Sequence, residues 1–280
     1  MRRSAVTLAS SLAAASAVVL SLAGCAAEAD TSAESSSSLS LVNGDTLTVC
    51  ISKNAYAPLY WNDGGTLTGF DVDSITAIAD ELGVPVAFNE MAFDGLLPAL
   101  VSERCDVMRS GLYINEERTA KADAIPYLET GPALVAAVAS GLEIESSDDL
   151  AGLRIAVQAA SANERILQEL NADFASRGLS AMELSSYPEM PETMAALRNG
   201  RVDAVIETDV AAMQAAETLG DEYELLTGAF DADTSFGMYL PKGSELTEKV
   251  REVAAQLTAD GTFAALAEEY GLLPERISAP

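Results

Sequence analysis

The sequence predicts an α/β protein with two lobes, each built on a mostly parallel sheet flanked by helices. Apolar runs of strand length alternate with helical stripes in residues 45–131, and a second series of the same kind fills residues 132–234. A strand at 236–240 and two helices follow within residues 235–280, which indicates that the chain returns to complete the first lobe. Because alternating strands and helices form parallel sheets with right-handed crossovers, we expect two crossing segments between the lobes.

The first lobe is predicted from three strands and two helices. Apolar, β-rich runs predict strands at 46–51, 84–88 and 107–110. Helical stripes predict helices at 71–82 and 95–101, capped by Asp71 and Asp94. In such sheets ligands bind beyond the carboxyl ends of the strands. We therefore expect the segments that follow these strand ends to share one rim.

The second lobe repeats the pattern. Strands are expected at 132–139, 154–158 and 202–206, and helices from residue 163, at 191–199 and at 210–219. The residues before the first of these helices are small and polar. Free N–H groups at such a helix start form a ready anion site. Two further helices, 245–259 and 262–270, follow the return strand.

The N-terminus predicts export. Arg2 and Arg3 precede an apolar run at 5–22 that contains no acidic residue, which is typical of a secretory signal. Leu22-Ala23-Gly24-Cys25 resembles the processing box of bacterial lipoproteins. That resemblance implies a signal peptide at 1–24, a lipid on Cys25, and anchoring to the outer face of the cytoplasmic membrane. An ordinary signal peptide with a chance cysteine and a transmembrane anchor are the alternatives. The polar, small residues of 25–44 predict a flexible tether.

Composition excludes several classes of function. The chain has 43 acidic and 16 basic residues and a net charge of −27, which argues against binding to nucleic acid. It has no histidine, so a Ser-His-Asp triad, a Cys-His pair and the usual zinc sites are excluded. Beyond Cys25 there are two cysteines, too few for a thiolate metal site, and we expect no metal or cofactor. In an exported chain, Cys50 and Cys105 either form a disulfide or remain free thiols.

Residues 109–118 contain the strongest candidate for an anion-binding side chain. Asn115 is expected to cap a short helix, and Arg118 follows three residues later. From that position a guanidinium reaches back over the strand end and can bind a carboxylate with two parallel hydrogen bonds. The alternative is a surface ion pair with Glu116 or Glu117.

Five segments, in this order, resemble the solute-binding proteins of ABC importers, in the family known for polar amino acids (solute-binding family 3). The segments are Tyr56-Ala57-Pro58, residues 69–73, residues 93–100, residues 110–118 and residues 199–205. The resemblance extends from about residue 47 to residue 271. It implies a periplasmic-binding-protein type II-like fold whose lobes close on a small solute.

The resemblance also implies ligand contacts. Tyr56 and Phe93 are expected to sandwich the solute, Arg118 to bind its α-carboxylate, and the Ser110 carbonyl to take its ammonium group. The backbone N–H groups around Ser161 and Ala162 are expected to complete the carboxylate site. The full set of expected ligand-binding residues is Lys53, Tyr56, Trp61, Phe93, Ser110, Gly111, Tyr113, Arg118, Gln158, Ser161, Ala162 and Thr208.

Three residues depart from the pattern of the family. Tyr113 replaces the usual Ser or Thr, and Thr208 replaces the aspartate that holds an ammonium group in many relatives. Strand alternation predicts that the neighbouring Glu207 and Asp209 face away from the Thr208 side. Lys53 occupies a position where binders of basic amino acids often carry an acid. We therefore expect a ligand with a carboxylate and a second anionic group that meets Lys53, rather than lysine, arginine or histidine.

These features predict a monomeric lipoprotein that captures an amino acid or related carboxylate and delivers it to a membrane permease. Two alternatives remain: a dehydratase-like enzyme on the same fold, and a ligand-sensing partner of a membrane receptor. An enzyme would need an acid or base in the cleft with a shifted pKa. Glu207 is the best candidate, but its expected orientation is wrong. No catalytic residue is therefore assigned.

Overall fold

The computed structural model describes residues 39–280. The predicted signal peptide, Cys25 and residues 25–38 of the predicted tether lie outside the described residues. Residues 39–44, which the sequence assigned to the tether, belong instead to the folded unit. Leu41 packs against the first-lobe core, and the Val42 N–H donates to Asp106 Oδ1 over 2.8 Å. Among the described residues, no helix has the length and apolarity needed to span a membrane.

The strands and helices follow the predicted order, with a few additions. In chain order the strands are β1 (Leu47–Ser52), β2 (Trp61–Asp63), β3 (Thr66–Thr68), β4 (Val86–Met91), β5 (Val107–Met108), β6 (Ala122–Thr130), β7 (Pro132–Ala137), β8 (Arg154–Gln158), β9 (Glu183–Tyr187), β10 (Ala204–Thr208), β11 (Tyr223–Leu226) and β12 (Thr234–Pro241). The α-helices are α1 (Phe70–Glu81), α2 (Leu96–Val101), α3 (Glu116–Thr119), α4 (Ala162–Arg177), α5 (Met190–Arg198), α6 (Asp209–Leu219), α7 (Glu245–Ala259) and α8 (Thr262–Glu269).

Two five-stranded sheets define the two lobes. The first lobe has the strand order β4-β1-β5-β12-β6, and the second has β11-β7-β10-β8-β9. In each sheet four strands run in the same direction, and one strand next to an edge, β12 in the first lobe and β7 in the second, runs antiparallel to its two neighbours. This arrangement confirms the predicted α/β class.

The two crossings between the lobes lie next to each other. The first is Gly131, which separates β6 from β7, and the second is residues 227–233, between β11 and β12. A Cβ atom on Gly131 would lie 2.6 Å from both Ala232 Cα and Asp231 O. Glycine at this position therefore permits the close approach of the two crossing segments.

Two predicted helix caps are wrong. Helix α1 begins after Gly69, and Asp71 lies inside its first turn, fully buried. Asp94 lies in a short 3₁₀ turn before α2, and its side chain caps neither the turn nor the helix. Asn115, in contrast, caps α3 as predicted, because its Oδ1 accepts a hydrogen bond of 3.0 Å from the Arg118 N–H.

Cys50 and Cys105 form a disulfide within the first lobe. Cys50 lies in β1, and Cys105 lies just before the neighbouring strand β5. Their sulfur atoms are 2.07 Å apart, and both residues are fully buried. The sequence left open whether these cysteines are bridged or free, and the structure shows the disulfide. The two residues are separated by 55 positions in the sequence.

Candidate ligand-binding cleft

A small cavity lies between the two lobes, at the carboxyl ends of their parallel strands. It leaves about 30 Å³ of free space. Across it, the Tyr56 hydroxyl of the first lobe hydrogen-bonds the Thr208 hydroxyl of the second, so the structure describes a closed arrangement. The cavity is lined by Tyr56, Phe93, Gly111, Leu112, Tyr113, Arg118, Gln158, Ser161, Ala162, Asn163, Glu207 and Thr208.

Arg118 lies at this cavity, with its side chain folded back over the end of β5. It is 7% exposed, and its Nη1 donates to the Tyr113 carbonyl over 2.8 Å. The Tyr239 hydroxyl donates to the same carbonyl over 2.5 Å. Burial lowers the pKa of Arg118, but an arginine side chain still stays protonated at neutral pH. A buried positive charge of this kind requires an anionic partner.

The start of α4 faces the same cavity from the second lobe. Ser161 caps the helix, since its Oγ accepts a hydrogen bond of 3.1 Å from the Glu164 N–H. The following residues, Ala162 and Asn163, are buried at the cavity wall. N–H groups in the first turn of a helix have no intrahelical acceptor, and the helix dipole makes this end positive. Together with Arg118, this helix start forms a site suited to a carboxylate.

Three buried polar atoms at this cavity have no hydrogen-bond partner in the described part of the chain. They are Tyr113 Oη from the first lobe, and Asn163 Oδ1 and Glu207 Oε1 from the second. Buried polar groups are nearly always hydrogen-bonded, because an unpaired group costs its full desolvation energy. Their convergence on one cavity is what a site for a polar ligand requires.

The orientation expected for Glu207 is wrong. Glu207 is 6% exposed and lines the cavity together with Thr208, because both stand at the end of β10 and this end abuts the first lobe. Burial raises the pKa of its carboxyl to about 8, although a hydrogen bond from the Thr208 backbone opposes the shift. A positively charged group beside it would restore the carboxylate.

Thr208 and Asp209 have structural partners. The Thr208 hydroxyl caps α6, accepting a hydrogen bond of 3.2 Å from the Ala211 N–H, in addition to its bond with Tyr56. Asp209 accepts a hydrogen bond of 2.5 Å from Thr130 Oγ1 and pairs with Arg276. It does not line the cleft, as strand alternation predicted.

Three residues expected at the ligand have other contacts. Lys53 Nζ forms an ion pair of 2.9 Å with Glu189 Oε1, so it is not directed at the cavity. Trp61 lies in the β2–β3 hairpin and packs edge-to-face on Tyr270, with 5.8 Å between ring centroids.

Ser110 is the third of these residues. Its hydroxyl donates to Tyr60 Oη over 2.8 Å and accepts from the Ser52 N–H over 3.1 Å. Its side chain therefore supports the strand ends, whereas the expected contact of the Ser110 carbonyl with an ammonium group stays a prediction.

A buried ion pair beneath the cleft fixes the segment that carries Gly111. Arg109 Nε lies 3.2 Å from Asp71 Oδ1, and its guanidinium carbon lies 3.9 Å from the centre of the Tyr127 ring. Asp71 Oδ2 accepts hydrogen bonds from the Gly111 N–H (3.0 Å) and the Tyr127 hydroxyl (3.1 Å). The sequence did contain a signal for this pair, namely an arginine directly after a buried strand and an aspartate early in a helix.

Comparison with known proteins identifies the family. Residues 47–272 match the model of the bacterial extracellular solute-binding proteins, family 3. The chain belongs to this family. It is 31% identical over 223 residues to the L-cystine-binding protein TcyJ of Escherichia coli K12, covering 78% of this chain and 80% of that protein.

Solved structures agree with this assignment to solute-binding family 3. An ancestral arginine-binding protein bound to arginine superimposes with a TM-score of 0.73 at 32% identity, covering 81% of this chain and 98% of that one. The ancestral amino acid-binding protein AncCDT-1, a precursor of cyclohexadienyl dehydratase, gives 0.69 at 29% identity, covering 81% and 95%. The expected two-lobed periplasmic-binding fold is confirmed.

In residues 39–280, no group of three or more His, Cys, Asp or Glu residues is arranged to hold a metal ion.

Proposed function

We propose that this protein captures an amino acid or a related small carboxylate between its lobes and delivers it to the permease of an ABC importer. The observation that carries the proposal is the convergence of unpaired buried polar atoms from Tyr113, Asn163 and Glu207 beside the buried guanidinium of Arg118. The cavity thus combines a guanidinium with a carboxyl group that a bound ammonium would return to its charged form, which suits a zwitterion. Membership in solute-binding family 3 and relatives that bind amino acids support the class of ligand.

Each end of an amino acid has a suitable partner. Arg118 and the start of α4 receive the α-carboxylate, while Tyr56 and Phe93 cover the apolar part of the ligand. Glu207 receives the ammonium group, and so supplies the negative charge that Thr208 lacks. A standard α-amino acid is therefore compatible with the cleft, despite the substitution at 208.

Capture follows from the hinge formed by the two crossings. The solute docks first on the lobe that carries Tyr56, Phe93 and Arg118. The second lobe then closes and adds the start of α4, Gln158 and Glu207. The closed form is the one that docks on the permease, as a monomer. A ligand shifts the equilibrium between the open and closed forms because it makes more contacts with the closed form.

Membrane anchoring completes the proposal. The lipid on Cys25 holds the exported protein at the outer face of the cytoplasmic membrane, and the tether after it lets the folded unit reach the permease. One acyl chain anchors only marginally, whereas two or more hold firmly. Detergent-phase partition of the full chain expressed in a lipoprotein-processing bacterium tests this. Wild type is expected in the detergent phase and Cys25→Ser in the aqueous phase. Partition of wild type and Cys25→Ser alike into the aqueous phase would contradict the lipid anchor.

The experiment that tests solute capture is a thermal-shift screen of the mature protein. The panel comprises the standard amino acids, cystine, opines, small dicarboxylates and compatible solutes. At least one amino acid or related carboxylate is expected to raise the melting temperature at concentrations near its Kd, since ligands that bind only the folded state stabilise it. Stabilisation by neutral compatible solutes alone would contradict the proposal.

Glu207 favours one second candidate, a dehydratase-like enzyme on the same fold. A buried carboxyl with a pKa of about 8 in a cleft has the property of a general acid or base. The same shift is expected of an ammonium-binding carboxyl before its ligand arrives, and the binding role agrees with the relatives. Following each stabilising ligand by NMR separates the two, because only an enzyme converts the ligand into a new species.

A further inference from the structure

A second, larger cavity adjoins the ligand-binding cleft. Its volume is about 360 Å³, and it shares five wall residues with the cleft, which are Phe93, Leu112, Arg118, Ser161 and Ala162. The first lobe contributes α2 and α3 to its wall, and the second lobe contributes the start of α4. A ligand bound beside Arg118 therefore has room to extend in this direction.

The charge of this cavity contrasts with that of the whole protein. It is lined by three basic residues, Arg118, Lys121 and Arg165, although the chain carries only 16 in all against 43 acidic ones. Two carboxylates, Asp94 and Glu117, share the wall. Glu117 pairs with Lys121 over 3.3 Å, in an exposed contact of little strength. With Arg118 included, the cavity wall thus carries one more positive than negative charge, in a protein whose net charge is −27.

Arg165 is the residue that this excess depends on. It lies in the first turns of α4, where a positive charge opposes the helix dipole. Its positive charge also reaches Arg118 in the other lobe, where it adds to the effect of burial in lowering the pKa. Its ion pair with Glu169 is 3.5 Å long and exposed, so it compensates little of this cost. Closure of the lobes therefore places two guanidinium groups in the wall of one cavity, and an anion between them would relieve their repulsion.

We propose that this cavity is a second anionic subsite, which binds the distal carboxylate of an extended amino acid whose α-carboxylate is held by Arg118. The proposal rests on the proposed function and names its substrate class: amino acids with a second carboxylate several bonds from the α-carbon. Arg165 and Lys121 supply the positive charge from opposite lobes. The subsite takes the place of the one expected at Lys53, which is paired with Glu189.

Calorimetric titration with a matched pair of ligands tests the subsite. The pair is L-2-aminoadipate and its side-chain amide, which differ only in the distal charge. Wild type is expected to bind the dicarboxylate about fivefold more tightly than the amide, as two partly exposed charge contacts allow. Arg165→Gln is expected to reduce the ratio of the two affinities, because it removes a positive charge from the subsite while Arg118 still holds the α-carboxylate of both ligands.

Glu169→Gln is the matched control, because it breaks the same Arg165–Glu169 ion pair and keeps the arginine. It is expected to retain the preference for the dicarboxylate. Equal affinity for both ligands in wild type, or an equal loss for both in Arg165→Gln, would overturn the subsite while leaving amino-acid capture intact. Failure of every amino acid, standard or extended, to bind wild type would overturn both proposals.

Discussion

The Glu207 carboxyl is buried between the lobes, and one of its oxygens has no hydrogen-bond partner within the described residues. Since burial raises its pKa from 4.5 to about 8, the folded ligand-free protein favours the neutral carboxyl. The contribution of this raised pKa to the free energy of unfolding is complete below pH 4.5 and is lost as the pH rises towards 8. Melting temperatures measured from pH 4.5 to 8 are therefore expected to fall more steeply for wild type than for Glu207→Gln.

The ligand provides the control for this pH dependence. An ammonium group beside Glu207 stabilises the carboxylate, so a saturating amino acid is expected to flatten the wild-type profile towards that of Glu207→Gln. Parallel profiles of wild type and the variant, with and without ligand, would contradict the assignment of Glu207 to the ammonium group.

Gly111 permits both the backbone turn and the close packing at the cleft. Its φ is 58°, and a Cβ atom there would lie 2.7 Å from Leu59 Cδ1 and from Tyr56 Cε1. Gly111→Ala is expected to cost roughly 1–3 kcal/mol of unfolding free energy and to weaken ligand binding, because Tyr56 must move. Denaturant unfolding and titration measure the two effects.

Gly141→Ala separates the backbone from the packing contribution. Gly141 has a similar φ of 62°, but nothing lies within 4 Å of its added Cβ. It is expected to cost less stability than Gly111→Ala and to leave ligand affinity unchanged. Equal losses at both positions would mean that Tyr56 and Leu59 accommodate the methyl group without cost.

The disulfide between β1 and the residue before β5 constrains the first lobe. It joins Cys50 and Cys105 across a sequence separation of 55 residues. The double variant Cys50→Ala/Cys105→Ala is expected to lose about 2–4 kcal/mol of unfolding free energy, mainly because its unfolded chain gains entropy. Urea denaturation checks this. An unchanged midpoint, or two free thiols titrated in native wild type, would contradict the bridge.

In the two five-stranded sheets, the strands that the sequence failed to predict are β6, β9 and β11, and all three lie at sheet edges; the separate β2–β3 hairpin was also not predicted. Central strands are buried on both faces and read as apolar runs, whereas edge strands tolerate polar residues and proline. Pro126 interrupts β6, opposite an irregular register at Gly237 in β12. The polar residues Ser185 and Ser186 similarly interrupt the apolar pattern of β9, so it was not recognised as a strand. The interior of each sheet was therefore predictable, whereas β4 is the one edge strand of the two five-stranded sheets that the sequence predicted.

The orientation of side chains at the ends of strands was the second feature that could not be predicted from the sequence. The cleft positions at Tyr56, Phe93, Arg118 and the start of α4 follow from motifs and strand ends, and the structure brings them together. Glu207 was misjudged because alternation describes a strand within its sheet, not a strand end that abuts another lobe. Lys53 was misjudged because its partner, Glu189, is distant in sequence. Contacts between distant segments leave no local pattern.

The closed arrangement of the whole molecule includes polar contacts outside the cleft. Glu189, at the start of α5 in the second lobe, pairs with Lys53 over 2.9 Å and accepts a hydrogen bond from Asn54 in the first lobe. Glu189→Gln is expected to shift the equilibrium towards the open form and to weaken ligand affinity by up to about fivefold, as an exposed ion pair allows. Small-angle scattering and titration measure these changes.

Asp148→Asn is the matched control, because it breaks an exposed ion pair with Arg177 that lies entirely within the second lobe. It is expected to change neither affinity nor the radius of gyration. An equal effect of both variants would show that Glu189 acts through stability of the second lobe and not through closure.

The central claim is that Arg118 binds the carboxylate of a captured amino acid, and calorimetric titration of Arg118→Ala with the best ligand of the screen tests it most directly. Removing the guanidinium leaves a buried carboxylate without its main partner, so binding is expected to lose about 2–5 kcal/mol. Arg198→Ala, an exposed arginine in the last turn of α5, controls for the change in net charge. Unchanged affinity in Arg118→Ala would contradict the account.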